Sequence, residues 1–573
     1  MDPIHLTLET DHLPSKAKYE QQSKDLKPIL AIALGHLSAG RPDAARLLLQ
    51  RMVLQYPDFV MLHHLIAVAC QGDDPNQASY ELAVCTALDP AGVEHLADLI
   101  GHMPSHLRMT RLHRLAQLVT TQSRPVAILG HEFLVQGYAV AAAIWFSKAM
   151  ALEPQNGLTA NNLAQSFMDS ALWPAGRKWS GRALKLAPDF ARVASNLAMA
   201  SSYDPTTDAQ TSRDIHEFAA KAYGNQPVPG VFRALVGSRL RVGFLPAEAG
   251  LRPMGRFLNP LLRHLDRSRF EIFAYGPPAD QDSVWQCVDH HFVVDGKSDD
   301  DIHAQVGRDQ IDVLVDLAGH ASNGRMAIFA RRAAPVQISW LGYFATTALA
   351  NMDAIIMDQY WAPKGAEDWF MEPVYRLTPG RFCVEPDPRA PDCADPPCLT
   401  SEIITFGSFN KIAKLNELVF DLWADILHAV PKSRLYLKAV TLADPAIRQD
   451  IGTAFNRRGI GNDRLLLDGP SGPLATLDLY RWVDIALDPF PFGGGLTTID
   501  ALWMGVPVVT KLGTSPLSRQ TAGLLHQAGF DQWIAQDAAD YKLIAQKLAS
   551  DPQSLKQLRK DQRLKMANSA LCD

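Results

Sequence analysis

The stretch DPFPFGGGLTTIDALWMGVPVV, Asp488 to Val509, sets three glycines and two threonines between a short apolar run and a helix that begins Ile499-Asp500. Glycine lets backbone N–H groups approach a ligand closely, and a helix N-terminus favours negative charge, so this order of residues suits a bulky anion. A tight strand-to-helix turn without any ligand would use the same residues.

Working outward, the stretch falls inside a regular alternation. IITFGSFN, RLYLKA, RLLLDG, DIALDPF and VPVVT read as buried strands, separated by helical patterns such as LVFDLWADILHAV, AIRQDIGTAFNRRG and ATLDLYRWV. Their starts recur at roughly thirty-residue intervals, the length of a βαβ unit, which predicts a doubly wound parallel sheet over 400–550 and a C-terminal helix over 551–573. A second alternation precedes it: LRVGFL, FEIFAYG, IDVLVDLAG, VQISWLGY and AIIMDQY predict another α/β lobe over 239–384. Between them EPDPRAPDCADPPCL, residues 385–399, carries five prolines and no periodicity and is a linker. Two lobes joined this way enclose a cleft. Ligands of such sheets bind beyond the carboxyl ends of strands, and the glycine-rich stretch follows the strand ending near Pro489.

The first two hundred residues have a different texture. LQYPDF closes at Pro57, TALDP at Pro90, MALEP at Pro154 and KLAPDF at Pro188, so Pro57 to Pro90 is 33 residues and Pro154 to Pro188 is 34. Leu163-Ala164 returns as Leu197-Ala198, each preceded by an asparagine, Asn162 or Asn196. That period belongs to tetratricopeptide repeats, pairs of helices that pack through small residues such as Ala164, Ala183 and Ala198. A repeat superhelix is expected over 1–200, most regular over 125–200 and broken between Ser105 and Arg124, with a helical connector over 201–238. Asn162 and Asn196 would stack on one face, either to hold the backbone of a bound peptide or to bridge helices internally. Such an array implies a protein partner and says nothing of chemistry.

Composition bounds the rest. The 573 residues, 47% hydrophobic and 20% charged, suit about four domains. A net charge of −6 offers no general attraction to nucleic acid or anionic lipid. The acidic N-terminus shows no secretory or transit signal, no apolar run is long enough to span a bilayer, and the seven cysteines contain no CxxC pair. A cytoplasmic, reduced protein is expected.

For the cleft, the lack of GxGxxG at the first strand of either lobe, and of GxxxxGK[ST], removes support for hydride transfer and for P-loop chemistry. Lys411 and Lys414 follow the first strand of the second lobe, within reach of the anion that Gly494, Gly495, Thr497 and Thr498 would cradle. Each charge-assisted bond there is worth about 1.5–3 kcal/mol. Asp500 would repel phosphates but suits the vicinal hydroxyls of a ribose; it could instead cap the helix. Together these residues describe a nucleoside diphosphate. Asp280 and Asp282 read as a DxD metal motif, discounted because the lysines already supply positive charge and no third ligand pattern accompanies them. Trp340, Trp361 and Trp503 sit at spacings typical of core.

Repeats followed by GFL, DLAGH, RAAPVQISWLGY, FGSFNKIAK and DPFPFGGGLTTIDALWMGVPVVT resemble the O-linked N-acetylglucosamine transferases and their bacterial relatives, in order and over about 125–550. The resemblance implies a GT-B pair of Rossmann-like lobes behind a tetratricopeptide superhelix. It also implies an inverting glycosyltransferase needing no metal or other cofactor, which takes a sugar from a UDP donor to a side chain, expected to be Ser or Thr, of a protein held on the repeats. Lys414 then corresponds to the pyrophosphate-binding lysine, Asp500 to the ribose-binding aspartate, and Gly342 joins the donor-binding residues.

Departures from the family pattern lie on the acceptor or donor-sugar side, where Arg252, Arg256, Tyr343 and Thr346 are expected. AGLRPMGRF puts Arg252 and Arg256 where the family carries histidines, Gly495 replaces the histidine of its HTT motif, and FATTA, Phe344 to Ala348, replaces its PGTSG turn. Arginine does not give up its proton and cannot act as a base, but it neutralises a carboxylate or phosphate. The pair would suit a CMP-nonulosonic acid donor, as in flagellin glycosyltransferases, or form structural salt bridges. Candidates for the general base are Asp280, Asp282 and His320. A chain with inactive lobes that serves as a repeat scaffold is the reading from another class, favoured by the missing histidines and opposed by the retained loop, lysine and aspartate.

Overall fold

The computed structural model describes residues 16–70, 123–187, 191–229, 239–246, 254–278, 287–321 and 323–573, with isolated positions between 77 and 85. The chain divides into two compact units, 1–155 and 156–573.

The first unit is helical. Lys16–Ser38, Pro42–Val53 and Val60–Cys70 bury Leu26, Leu49, Leu62 and Ile66 against one another. Ser123–Val135 and Ala139–Leu152 pack as a pair, the second helix ending at Leu152 with Glu153 as its C-cap directly before Pro154, which cannot continue it. Pro90 and the interruption from Ser105 to 122 lie outside the described residues.

The second unit begins with four more helices, Gly157–Asp169, Trp173–Leu186, Ala191–Ser201 and Ala209–Lys221. Their close approach uses the small residues read from the sequence: Ala164, Ala183 and Ala198 are fully buried, and a Cβ at Gly176 would stand 2.7 Å from Met168 Cγ. Asn156 and Asp208 cap two of the helices by accepting the N–H groups of Thr159 and Thr211. These repeats lie in the same compact unit as the α/β lobes. The Arg192 guanidinium bonds the two, donating to the carbonyls of Ala321 and Gly324 in the first lobe.

The first lobe is a seven-stranded parallel sheet of β1 (Leu240–Leu245), β2 (Phe270–Gly276), β3 (His290–Val293), β4 (Val313–Asp316), β5 (Val336–Ser339), β6 (Ala354–Asp358) and β7 (Val374–Leu377), in the order β3-β2-β1-β4-β5-β6-β7. The second is a six-stranded parallel sheet of β8 (Ile404–Ser408), β9 (Ser433–Lys438), β10 (Leu465–Asp468), β11 (Ile485–Leu487), β12 (Val508–Lys511) and β13 (Ile534–Ala535), in the order β10-β9-β8-β11-β12-β13. Both are Rossmann-like. The strand order reverses between β1 and β4 and between β8 and β11, so each lobe opens a crevice at those carboxyl ends.

The three strands without a counterpart in the sequence reading, β3, β7 and β13, are all outermost. With one flank free they need no continuous apolar run, and β3 reads HHFV. One apolar core spans both lobes, with Phe244, Leu258 and Trp361 from the first, Ile499 and Leu524 from the second, and Met566 and Leu571 from the C-terminal segment. Trp340 and Trp361 are buried there, and Gln527 donates across to the Phe382 carbonyl at 2.9 Å.

Candidate active site

The carboxyl ends of β8 and β11 meet in one small crevice lined by Ser408, Asn410, Tyr480, Asp488, Thr497 and Thr498. From β8 the chain runs through Asn410 into a single turn, Ile412–Lys414, that turns the Lys414 side chain inward. Its amine donates to the Gly493 carbonyl at 2.6 Å and to Asn410 Oδ1 at 3.1 Å, and stands 4.2 Å from the centre of the Phe492 ring. Burial pushes this ammonium down to about 7, with Asp488 opposing the shift and Lys411 reinforcing it. Lys411 itself is exposed, its charge felt by Asp169 on the preceding helices.

The triglycine turn is organised from below by Asp488. Its carboxylate accepts the Gly494 N–H at 2.6 Å and the Thr510 hydroxyl at 2.7 Å, and burial raises its proton affinity. The Gly494 carbonyl takes the Thr521 hydroxyl, and the Gly493 carbonyl takes the Gln520 amide as well as Lys414. Gly494 therefore has no amide left for an anion, a correction to the cradle expected from the sequence. Its lack of a side chain serves packing: a Cβ would lie 2.4 Å from Thr498 Oγ1. In helix Leu496–Trp503, which begins after Gly495, the Thr498 and Ile499 N–H groups donate to the Gly495 carbonyl at 3.1 and 3.2 Å, which leaves those of Leu496 and Thr497 without an intrahelical partner. Thr497 is tied to the same network, donating to Asn410 Oδ1 at 3.2 Å, while its carbonyl accepts the Tyr480 hydroxyl. Thr498 is buried beneath it. Asn410 thus couples Lys414 to Thr497. Asn410 and Asp488 both fall in stretches singled out by the sequence, but a short polar residue at a strand end gives no sign there of which way it bonds.

Other expected site residues have different neighbours. The Asp500 carboxylate accepts the Arg256 guanidinium through Oδ1 at 2.6 Å, an ion pair between the lobes. Burial raises the Asp500 carboxyl and Arg256 opposes the shift. Gly342 serves a close crossing, since a Cβ there would lie 2.0 Å from the Leu317 carbonyl oxygen. The Thr346 hydroxyl donates to Glu372, which also accepts the N–H groups of Thr347 and Ala348, so the FATTA segment is clamped from behind by a carboxylate the sequence reading did not name. Arg252, Asp280 and Asp282 lie outside the described residues.

His320 does not face the crevice. Its Nε2–H donates to the Thr347 carbonyl at 2.9 Å, so Nδ1 is the acceptor of the Ser195 hydroxyl at 2.8 Å, which in turn accepts from Tyr223. Next to it the His216 Nδ1–H donates to the Ser212 carbonyl, and its Nε2 accepts the Tyr343 hydroxyl at 2.7 Å. Burial pushes His320 down to about 4 and His216 to about 3. Both rings are neutral joints between helices and lobe. The expectation of His320 as a base is corrected on that ground, since both nitrogens are occupied. The Tyr343 hydroxyl is likewise engaged by His216.

On the helices, the Asn196 amide donates to Asn161 Oδ1 at 3.0 Å and the Asn161 amide to Asn162 Oδ1 at 3.4 Å. The internal bridge foreseen as one alternative is present. Among the described residues no cluster of three or more His, Cys, Asp or Glu could hold a metal ion, and no helix is long and apolar enough to cross a membrane.

Comparison with known proteins agrees with this architecture. The probable UDP-N-acetylglucosamine–peptide N-acetylglucosaminyltransferase SPINDLY of Solanum lycopersicum is 31% identical over 438 residues, covering 73% of this chain and 42% of that protein. The probable UDP-N-acetylglucosamine–peptide N-acetylglucosaminyltransferase SEC of Arabidopsis thaliana is 26% identical over 349 residues, 58% of this chain and 35% of that one. The chain thus spans about two-fifths of the length of the curated relatives it matches. Among solved structures, a lysine-to-methionine mutant of the Thermobaculum terrenum O-GlcNAc transferase superposes with a TM-score of 0.76 at 30% identity, covering 90% of this chain and 94% of that one. Glycosyl transferase family 41 matches residues 230–383 and 396–573, both lobes and the C-terminal helix. With that match over more than half its length, the chain belongs to glycosyltransferase family 41.

Proposed function

We propose that the chain is a protein glycosyltransferase that moves a sugar from a UDP-activated donor, N-acetylglucosamine or a hexose, to a serine or threonine of a protein held by the tetratricopeptide-like helices. The observation that carries this reading is the buried Lys414 amine at the mouth of the triglycine turn, beside the first-turn amides of helix Leu496–Trp503. The names of the relatives, all peptide N-acetylglucosaminyltransferases, support the donor class and the protein acceptor.

In this reading the diphosphate enters where Lys414 now bonds a carbonyl. The amine transfers its hydrogen bonds to the phosphates and gains its proton as it does so, because an anion in a water-poor site favours the charged form. Charge developing on the leaving diphosphate is met by Lys414 and the helix amides, already in place, and inversion follows from attack on the opposite face of the sugar. Asp282 is the proposed base on the first-lobe side. Asn162 and Asn196, one repeat apart and bridged through Asn161, are proposed to meet the acceptor backbone with the amide groups the bridge leaves over.

The reading is tested by incubating the full chain with candidate acceptor proteins and a panel of UDP- and CMP-activated sugars, followed by intact mass. A gain of one sugar mass from a UDP donor, lost in Lys414→Met, is expected. Transfer from a CMP donor alone would replace the UDP reading with the nonulosonic acid one. If neither UDP nor CMP binds in calorimetry, the repeat-scaffold reading takes its place.

A further inference from the structure

Three aromatic rings connect the helical repeats to the Lys414 amine. Trp173, opening helix Trp173–Leu186, stacks on Tyr203 with ring centres 5.2 Å apart and planes 13° from parallel. Tyr203 packs against Phe492 at 4.6 Å, and Phe492 presents its face to the Lys414 amine at 4.2 Å. Behind Lys414, Ala413 is buried in one apolar cluster with Ala164, Met168, Trp173 and Ala200, all four from the helices.

We propose that Tyr203, acting through Phe492, is a positioning residue for the Lys414 amine, so that the repeats next to the lobes are a working part of the donor site as well as a platform for a partner. The inference rests on the reading of Lys414 as the cation that meets the donor diphosphate.

The argument is one of linked degrees of freedom. Besides Asn410 of its own loop, Lys414 is held by two groups that are consecutive in sequence, the ring of Phe492 and the carbonyl of Gly493. A rotation of Phe492 therefore moves the cation's aromatic face and its carbonyl acceptor together. Two rings outside the Phe492–Gly493 loop oppose that rotation: Tyr203 on the helical side and Phe344 of the first lobe, edge-on at 5.1 Å. Tyr203, packed on Phe492, adds a second ring layer behind the one that faces the amine, and burial of this kind is what holds Lys414 down to about 7.

The charged groups around the amine are few: Asp488 from the end of β11, Lys411 from its own loop, and Asp169 at the end of helix Gly157–Asp169, whose charge reaches Lys411 and Tyr203. Burial, and Asp169 after it, raise the Tyr203 phenol further above its ordinary range, so Tyr203 acts as a neutral ring throughout the working pH range.

The test compares Tyr203→Phe and Tyr203→Ala with the wild-type full chain, using two measurements. The first is the pH midpoint of acylation of Lys414, read by competitive labelling and peptide mass spectrometry without nucleotide. The second is UDP affinity by calorimetry from pH 6 to 9. Wild type and Tyr203→Phe should share a midpoint near 7. Tyr203→Ala admits water, and its midpoint should rise by about one pH unit or more toward ordinary lysine, with the decline of UDP affinity displaced upward by the same interval. Rescue by phenylalanine separates the ring's role from the hydroxyl's. A folded Tyr203→Ala with the wild-type midpoint overturns the proposal; should that variant not fold, Tyr203→Leu carries the same comparison. A displaced midpoint in a protein whose wild type binds no UDP would keep Tyr203 as the positioning residue and overturn the donor reading instead.

Discussion

Arg256 and Asp500 join the two lobes through a single ion pair of 2.6 Å. Arg256 belongs to helix Gly255–His264 of the first lobe, and Asp500 lies one turn into the second-lobe helix whose N-terminus faces the glycine turn. The Arg256 backbone carbonyl accepts the Glu385 N–H, which anchors the start of the interlobe linker to the same point. Side chains that the sequence offered to a ligand are thus used to hold the lobes in register.

Removing one partner leaves the other as a mostly buried, uncompensated charge, so Arg256→Met or Asp500→Leu alone should cost about 3–5 kcal/mol of stability. The double variant, which buries no charge there, should recover most of that loss. Chemical denaturation of the four proteins forms the cycle; additivity of the two single losses would show that the pair is not coupled.

Lys414 makes nucleotide binding depend on pH in a definite direction. Its folded-state proton affinity lies at about 7, below the ordinary 10.5. Above pH 7 the free protein carries a neutral amine, so UDP binding must take up a proton, and affinity should fall by up to about tenfold per pH unit. Calorimetry in buffers of different ionisation enthalpy should register close to one proton taken up at pH 8, and none in Lys414→Arg.

The same group has the opposite bearing on stability. A lysine with depressed folded affinity contributes stability that is present above the unfolded value of 10.5 and lost as pH falls through about 7. Lys414→Met, expected to abolish the proposed transfer, should therefore stabilise the fold, and most strongly below pH 7. Denaturation midpoints at pH 6 and pH 9 check this.

His216 and His320 are also depressed, to about 3 and about 4 from 6.5, by burial. The stability they contribute is present above pH 6.5 and lost as pH falls through 4. Asp316 at the end of β4 works against them in part, because burial raises it to about 6 and its contribution is present at low pH and lost above 6. Subtracting the pH dependence of His320→Gln from that of wild type cancels Asp316. The difference should show the steeper loss in wild type between pH 6.5 and 4, and the rate of transfer should show no limb from His320 in that range.

Gly494 and Gly495 should differ sharply under substitution. A Cβ on Gly494 meets Thr498 Oγ1 at 2.4 Å and Thr497 Oγ1 at 2.8 Å, whereas on Gly495 the nearest atom is the flexible amide end of Gln520 at 3.1 Å. Gly494→Ala should displace the turn that carries the Lys414 acceptor and weaken UDP binding by at least about tenfold, on the order of 1.4 kcal/mol. Gly495→Ala should bind within about twofold of wild type. Equal effects of the two would show that the turn yields more freely than its contacts imply.

What could be read without coordinates was whatever leaves a periodic or local mark. The interior strands of both sheets, the 34-residue helical period and the glycine turn after a strand all follow from residues near one another in the chain, and family membership follows from their order. The edge strands β3, β7 and β13 left no such mark, because one flank of each is free of packing constraints, whereas the edge strand β10 was legible from its RLLLDG run.

The residue types of the site were legible, and their partners were not. Lys414, Asp500, Arg256 and His320 announce ionisable chemistry in any context, but a charged side chain can point to a ligand, a carbonyl or an opposite charge with no change in its neighbours along the chain. Only folding brought Asp500 to Arg256, 244 positions apart, His320 to Ser195, 125 apart, and Tyr203 to Phe492. The sequence determined the architecture, since backbone periodicity and hydrophobic pattern act locally. Tertiary structure decided which ionisable groups meet one another, because proton affinity and hydrogen bonding depend on burial and on a partner within a few ångströms, and neither is encoded by proximity in sequence.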